Sequence, residues 1–151
     1  MRDSLFGVSN RDKFRSMISD LLIEGNLLNY EGGESSSNRW LIGFEDDNVL
    51  VFLEADDYDP FMNLEKLYSV VKRKGYARKA MSLIVNSADK WGVDLELDIA
   101  PFNYSLIDGK RDSNEIMDVK SLERFYGKYG FEKNNFDGII YLHRISRRNK
   151  A

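Results

Sequence analysis

The sequence predicts an α/β fold of the mixed α+β kind, because helical and strand periodicities alternate along its 151 residues. Three observations predict it. Val93, Leu95, Leu97 and Ile99 alternate strictly with Asp94, Glu96 and Asp98, the period of a half-buried strand. Just before them Ala77, Ala80, Met81, Ile84, Ala88 and Trp91 recur at helical spacing and stop at Gly92. Earlier still, two β-rich runs, Arg39–Glu45 and Val49–Ala55, flank Asp46-Asp47-Asn48, which reads as a hairpin.

The remaining elements follow in order. Ser9 with Asp12 reads as a helix start, and Phe14, Met17, Ile18, Leu21 and Leu22 form an apolar stripe that Gly25 ends. Residues 31–38, Glu-Gly-Gly-Glu-Ser-Ser-Ser-Asn, read as a flexible low-complexity loop. The acidic link 56–60 leads to a third strand at about 62–71. Residues 102–118 have no period and read as a long loop. Leu122, Phe125, Tyr126 and Tyr129 then share a helical face ended by Gly130, and Gly138 precedes a last strand, Ile139–Ile145. No internal repeat or linker interrupts residues 1–151, which are expected to form a single domain.

Composition removes several chemistries. There is no cysteine and one histidine, so disulfides, thiolate nucleophiles and multi-histidine metal sites are excluded, and no metal is expected. No apolar stretch approaches the roughly 20 residues of a membrane span, so a soluble, cytoplasmic protein without a membrane partner is the expectation. The net charge of −3 argues against nucleic acid as a partner. Arg144, Arg147, Arg148 and Lys150 read as a solvated, partly disordered tail.

Against that acidic background one basic cluster stands out: Lys72, Arg73, Lys74, Arg78 and Lys79 surround Gly75 between a strand and a helix. A helix start offers unpaired N–H groups and a positive dipole end, and a glycine lets a ligand approach the backbone. Such a turn can cradle a pyrophosphate.

Two motifs make the chain resemble the GNAT superfamily of acetyl-CoA-dependent N-acetyltransferases. Lys72-Arg73-Lys74-Gly75-Tyr76-Ala77 is similar to the family's pyrophosphate loop, with Lys72 where Arg or Gln is usual. Leu122 to Phe131 is similar to the family's late helix, with Phe125-Tyr126 followed by Gly130-Phe131. The resemblance covers about residues 39–145 and implies the GNAT acyl-CoA N-acyltransferase fold, a central, mostly antiparallel twisted sheet flanked by helices. It implies acetyl-CoA as cosubstrate, held by Lys72, Arg73, Lys74, Gly75, Tyr76, Ala77 and Arg78, with Val70 and Val71 along the pantetheine arm and Asn103 as a further contact. Residues 104–118 separate Asn103 from the late helix.

The implied reaction is direct attack of a primary amine on the thioester in a ternary complex. Tyr126 matches the tyrosine that protonates the leaving thiolate in relatives, and it also reads as a core aromatic beside Leu122 and Phe125. An amine of pKa near 10.4 needs a base. Glu65, on the strand before the cradle, is the candidate; Glu96 and Asp98 are rivals, and His143 reads as a packed or solvated residue. Asp56, Asp57 and Asp59, or Glu31 and Glu34, could gather a cationic amine acceptor. The alternative is a catalytically weak or inactive GNAT-fold module that binds acetyl-CoA or a partner. Relatives often form homodimers, but no residue here marks an interface.

Overall fold

The computed structural model describes residues 9–33, 36–70, 75–98, 119–136 and 139–149. Helix α1 (Asn10–Glu24) starts at Ser9, whose side chain accepts a hydrogen bond from the Asp12 N–H. It is followed by β1 (Asn26–Glu31), β2 (Ser37–Phe44), β3 (Val49–Asp56) and β4 (Phe61–Ser69). Helix α2 (Tyr76–Trp91) leads to β5 (Asp94–Asp98), and α3 (Val119–Gly127) leads to β6 (Glu132–Phe136) and β7 (Ile139–Arg144).

The strands form one seven-stranded sheet in the order β1-β2-β3-β4-β5-β7-β6. All neighbours are antiparallel except β4 and β5. The expected central, mostly antiparallel sheet is therefore present. Parallel neighbours need a crossover, and α2 supplies it. Its C-terminal Gly92 is left-handed (φ 69°), and its N–H returns to Ala88 O.

The core lies on one face of the sheet. In β2 and β3, Trp40, Ile42, Val51 and Leu53 are buried there, and α1 contributes Phe14, Met17 and Leu21 while α2 contributes Met81 and Ile84. A polar seam joins the two helices: Trp91 Nε1 donates to Asp20 Oδ2 (2.7 Å) and Ser87 Oγ donates to Met17 O (3.3 Å). Gly25 passes so close to β2 that a Cβ would stand 2.8 Å from Phe44 Cε1 and 3.0 Å from the Gly43 carbonyl oxygen.

Four readings of the sequence are corrected. Of the 31–38 segment, read as a loop, Glu31 belongs to β1 and Ser37 and Asn38 to β2, with Asn38 buried and its Oδ1 accepting from the Tyr30 hydroxyl at 2.7 Å, while Glu34 and Ser35 lie outside the described residues. Strands β1 and β6 were not foreseen; the residues of β1 are exposed throughout and β6 is mostly polar, so neither shows an alternation. Helix α3 ends at Gly127, with Gly130 (φ 93°) in the turn that follows. Within the basic C-terminal group Arg144 is anchored rather than solvated, while the Arg147 side chain is exposed. Arg144 is 6% exposed, and its guanidinium grips Asp89 through Nη1–Oδ1 (2.8 Å) and Nη2–Oδ2 (2.9 Å) while Nε donates to Tyr129 O (2.6 Å). Asn149 Nδ2 donates to Gly92 O at 3.0 Å. The 102–118 loop, Gly138 and Lys150 lie outside the described residues.

Burial alone would raise the Asp89 carboxyl, but hydrogen bonds from Arg144 and the Arg147 N–H, with both guanidinium charges, hold it below its ordinary value of 3.8. An acid depressed in the native state stabilises it above the unfolded pKa and loses that contribution as pH falls through the native one. Asp89→Asn should thus cost about 3–5 kcal/mol near pH 7, as expected for breaking a buried pair. In urea unfolding the gap to wild type should close as pH drops below 3.8. Gly25→Ala should cost about 1–3 kcal/mol by overpacking, seen as a lower melting temperature with unchanged far-UV circular dichroism.

Candidate functional site

The end of the sheet where β4 and β5 part is the feature that collects the sequence candidates. The two strands pair at Phe61–Asp94, Met62–Leu95 and Asn63–Glu96, and among the described residues this pairing goes no further. β4 continues to Ser69 beside β3 alone, and Val70 beyond it is 41% exposed. The Val70 N–H is taken by Asn48 O on the β3 side (2.7 Å). Glu45, Asp46 and Asp47, in the turn joining β2 to β3, are all left-handed (φ 53°, 56° and 63°).

Gly75 is left-handed (φ 73°), and no atom lies within 4 Å of where its Cβ would be. A side chain would therefore meet backbone strain rather than a neighbour among the described residues. The Lys79 N–H returns to Gly75 O (3.2 Å), so among the described residues the N–H groups of Tyr76, Ala77 and Arg78 are the unpaired donors of the helix start. No side chain caps that start. Lys79 Nζ sits 3.9 Å from Glu45 Oε2 and 5.8 Å from the centre of the Tyr76 ring. Val71, Lys72, Arg73, Lys74 and Asn103 lie outside the described residues.

The late helix comes to the same place. The Tyr129 hydroxyl donates to Arg78 O (3.3 Å), which ties the turn after α3 to the first turn of α2. Tyr126 is 6% exposed, edge-on to Phe125 (5.1 Å) and Phe131 (5.7 Å). Burial pushes its phenol up to about 12, so the proton stays on oxygen throughout the physiological range. The residue is at once a core aromatic and a neutral hydroxyl.

Glu65 lies on β4, two residues beyond the last β4–β5 pair, but its carboxylate is engaged by Arg39 of β2. Its carboxylate receives Arg39 Nη2 at 3.1 Å and 3.5 Å, and Arg39 Nε also pairs with Glu54 (3.1 Å). A side-chain hydrogen bond with Glu65, then burial and the neighbouring charge, raise the Glu54 carboxyl despite Arg39. Asp57, one of the acidic residues considered for amine capture, is engaged by Arg11 Nε (2.8 Å) and by Asn38 Nδ2 (3.3 Å). His143, read as packed or solvated, has a partner instead: Nδ1 is 3.1 Å from Glu96 Oε1. The strict alternation of β5 placed Glu96 on the open face, but nothing local in the sequence pointed from it to His143.

No described group of three or more His, Asp or Glu residues is placed to hold a metal ion. Among the described residues no helix is long and apolar enough to cross a membrane.

No protein-family model matches the chain, and no curated protein sequence matches it. Among solved structures the chain is similar to the anti-CRISPR protein AcrVA5, with a TM-score of 0.49 and 16% identity over 71% of this chain and 97% of that one. It is also similar to a nourseothricin acetyltransferase, with a TM-score of 0.45 and 14% identity over 73% of this chain and 65% of that one, just under two thirds of its length. At these identities and TM-scores the likeness assigns neither a family nor a role; the chain's own arrangement is α+β with a seven-stranded mixed sheet.

Proposed function

We propose that the protein is an N-acetyltransferase that moves an acetyl group from acetyl-CoA to a primary amine by direct attack. The observation that carries this reading is the parting of two parallel strands after Asn63–Glu96, with the start of the crossover helix α2 at Gly75 following β4 in the chain. Ligands of sheets with parallel strands favour the crevice beyond the carboxyl ends of the strands.

The residues present fit the cosubstrate. The N–H groups of Tyr76, Ala77 and Arg78 would hold the pyrophosphate, helped by the α2 dipole and, through the motif resemblance, by Lys72, Arg73 and Lys74. The backbone of β4 toward Val70 and Val71 would take an extended arm as an added strand does. Acetyl-CoA supplies an activated acyl group with a thiolate leaving group.

Tyr126 would stand near the sulfur, as the late-helix motif implies. With a phenol near 12 and a thiol near 8.5, complete proton transfer to the sulfur is uphill. Its contribution is therefore a hydrogen bond that strengthens as negative charge develops. Glu65 as general base would first have to leave Arg39. That engagement favours the second reading, a domain that binds acetyl-CoA without efficient turnover.

Acetyl-CoA at about 100 times its dissociation constant should add roughly 2.7 kcal/mol to native stability, measured by thermal unfolding. Gly75→Glu should abolish that shift, because it puts a carboxylate in the path of the phosphates; no shift with wild type at millimolar concentration would sink the reading. Tyr126→Phe keeps the ring packing and should retain the shift while turnover falls about 10²-fold or more. Unchanged turnover in that variant would return Tyr126 to a purely packing role. Binding with no turnover of a broad amine panel by wild type would leave the second reading standing.

A further inference from the structure

One register line crosses the whole sheet: Glu31, Arg39, Glu54, Asn63, Glu96, His143 and Glu132 are successive cross-strand partners from β1 through β7 to β6. Every strand contributes a polar residue, and none of the seven is buried. The line lies on the face opposite the core, since the flanking Trp40, Leu53, Met62, Leu95 and Leu142 are buried. It crosses from β4 to β5 at Asn63–Glu96, the last pair before the strands part.

At that crossing sits the sole histidine of the chain. His143 Nδ1 is 3.1 Å from Glu96 Oε1, and the two side chains are 25% and 23% exposed. Among the described residues Nε2 has no hydrogen-bond partner. The contrast with Glu65 is direct: that carboxylate is occupied by the Arg39 guanidinium.

We propose that His143 is the proton acceptor for the attacking amine and that Glu96 is its positioning residue, an assignment that rests on the acetyltransferase reading. Glu96 accepts from Nδ1–H, which leaves the Nε2 lone pair free for the amine. An ammonium acceptor gives one proton to Nε2, from which it passes to water. Its nitrogen lone pair then forms the C–N bond, the C–S bond breaks with its electron pair on sulfur, the nitrogen sheds its second proton, and the thiolate takes one up. The groups facing His143 along the line are Glu96 on β5, Glu132 on β6 and, two and three strands away on β4 and β3, Asn63 and Glu54; Tyr141 lies two residues away on its own strand. With Glu31 the line holds four carboxylates against the single guanidinium of Arg39, so the favoured acceptor is a cationic amine.

Because the chain has one histidine, long-range ¹H–¹⁵N correlation spectra of the full-length protein report a single imidazole. The expected result is an Nδ1–H ring in the wild type that turns to mainly Nε2–H in Glu96→Leu. With spermidine as the probe amine, His143→Gln should keep the acetyl-CoA thermal shift and lose about 10²-fold or more of amine-dependent CoA release. An Nε2–H ring in the wild type, or equal CoA release by wild type and His143→Gln, overturns the proposal. Absence of any acetyl-CoA shift in the wild type removes the acetyltransferase reading, and the proposal falls with it even where the Nδ1–H ring is found.

Discussion

The parallel pairing of β4 with β5 is the constraint on which the rest of the molecule depends. Adjacent parallel strands cannot be joined by a tight turn, so the chain must cross the sheet, and α2 is that crossing. The crossing puts the α2 start at the carboxyl end of β4. The N–H groups of Tyr76, Ala77 and Arg78 and the open edge of β4 therefore share one end of the sheet. Among the described residues the β4–β5 pairing ends at Asn63–Glu96.

A second interaction holds the late part of the chain to this frame. Asp89 near the end of α2 binds Arg144 of β7, Arg144 binds the carbonyl of Tyr129 after α3, and the Tyr129 hydroxyl returns to Arg78 in the first turn of α2. This closed circuit ties the turn after α3 to the first turn of α2, and Tyr126 of α3 is buried in the core. A buried guanidinium suffers a large desolvation cost, and the fork shape of arginine offsets it by meeting three acceptor oxygens at once.

What the sequence made legible was whatever its local period encodes. Helix α2 could be read from Ala80, Met81 and Ile84, because a buried stripe must recur every three to four residues. The hairpin of β2 and β3 could be read because its strands alternate toward one core face. The edge strands could not. Leu27 and Leu28 are adjacent and both exposed, and the β6 run Glu-Lys-Asn-Asn-Phe is nearly all polar, so neither carries the alternation that burial on one face imposes. Arg144 misled for the opposite reason: nothing in a run of basic residues marks the one whose strand position faces the core.

The amino-acid sequence by itself determined the helices, their Ser9 and Gly92 ends and the basic glycine turn, since each depends on residues within a few positions of one another. Only the tertiary structure decided which distant side chains meet. Glu65 is held by Arg39 from 26 positions away, and His143 finds Glu96 across 47. Those meetings are set by strand order and register, and cross-strand register arises from packing the whole sheet against α1 and α2 rather than from any local pattern.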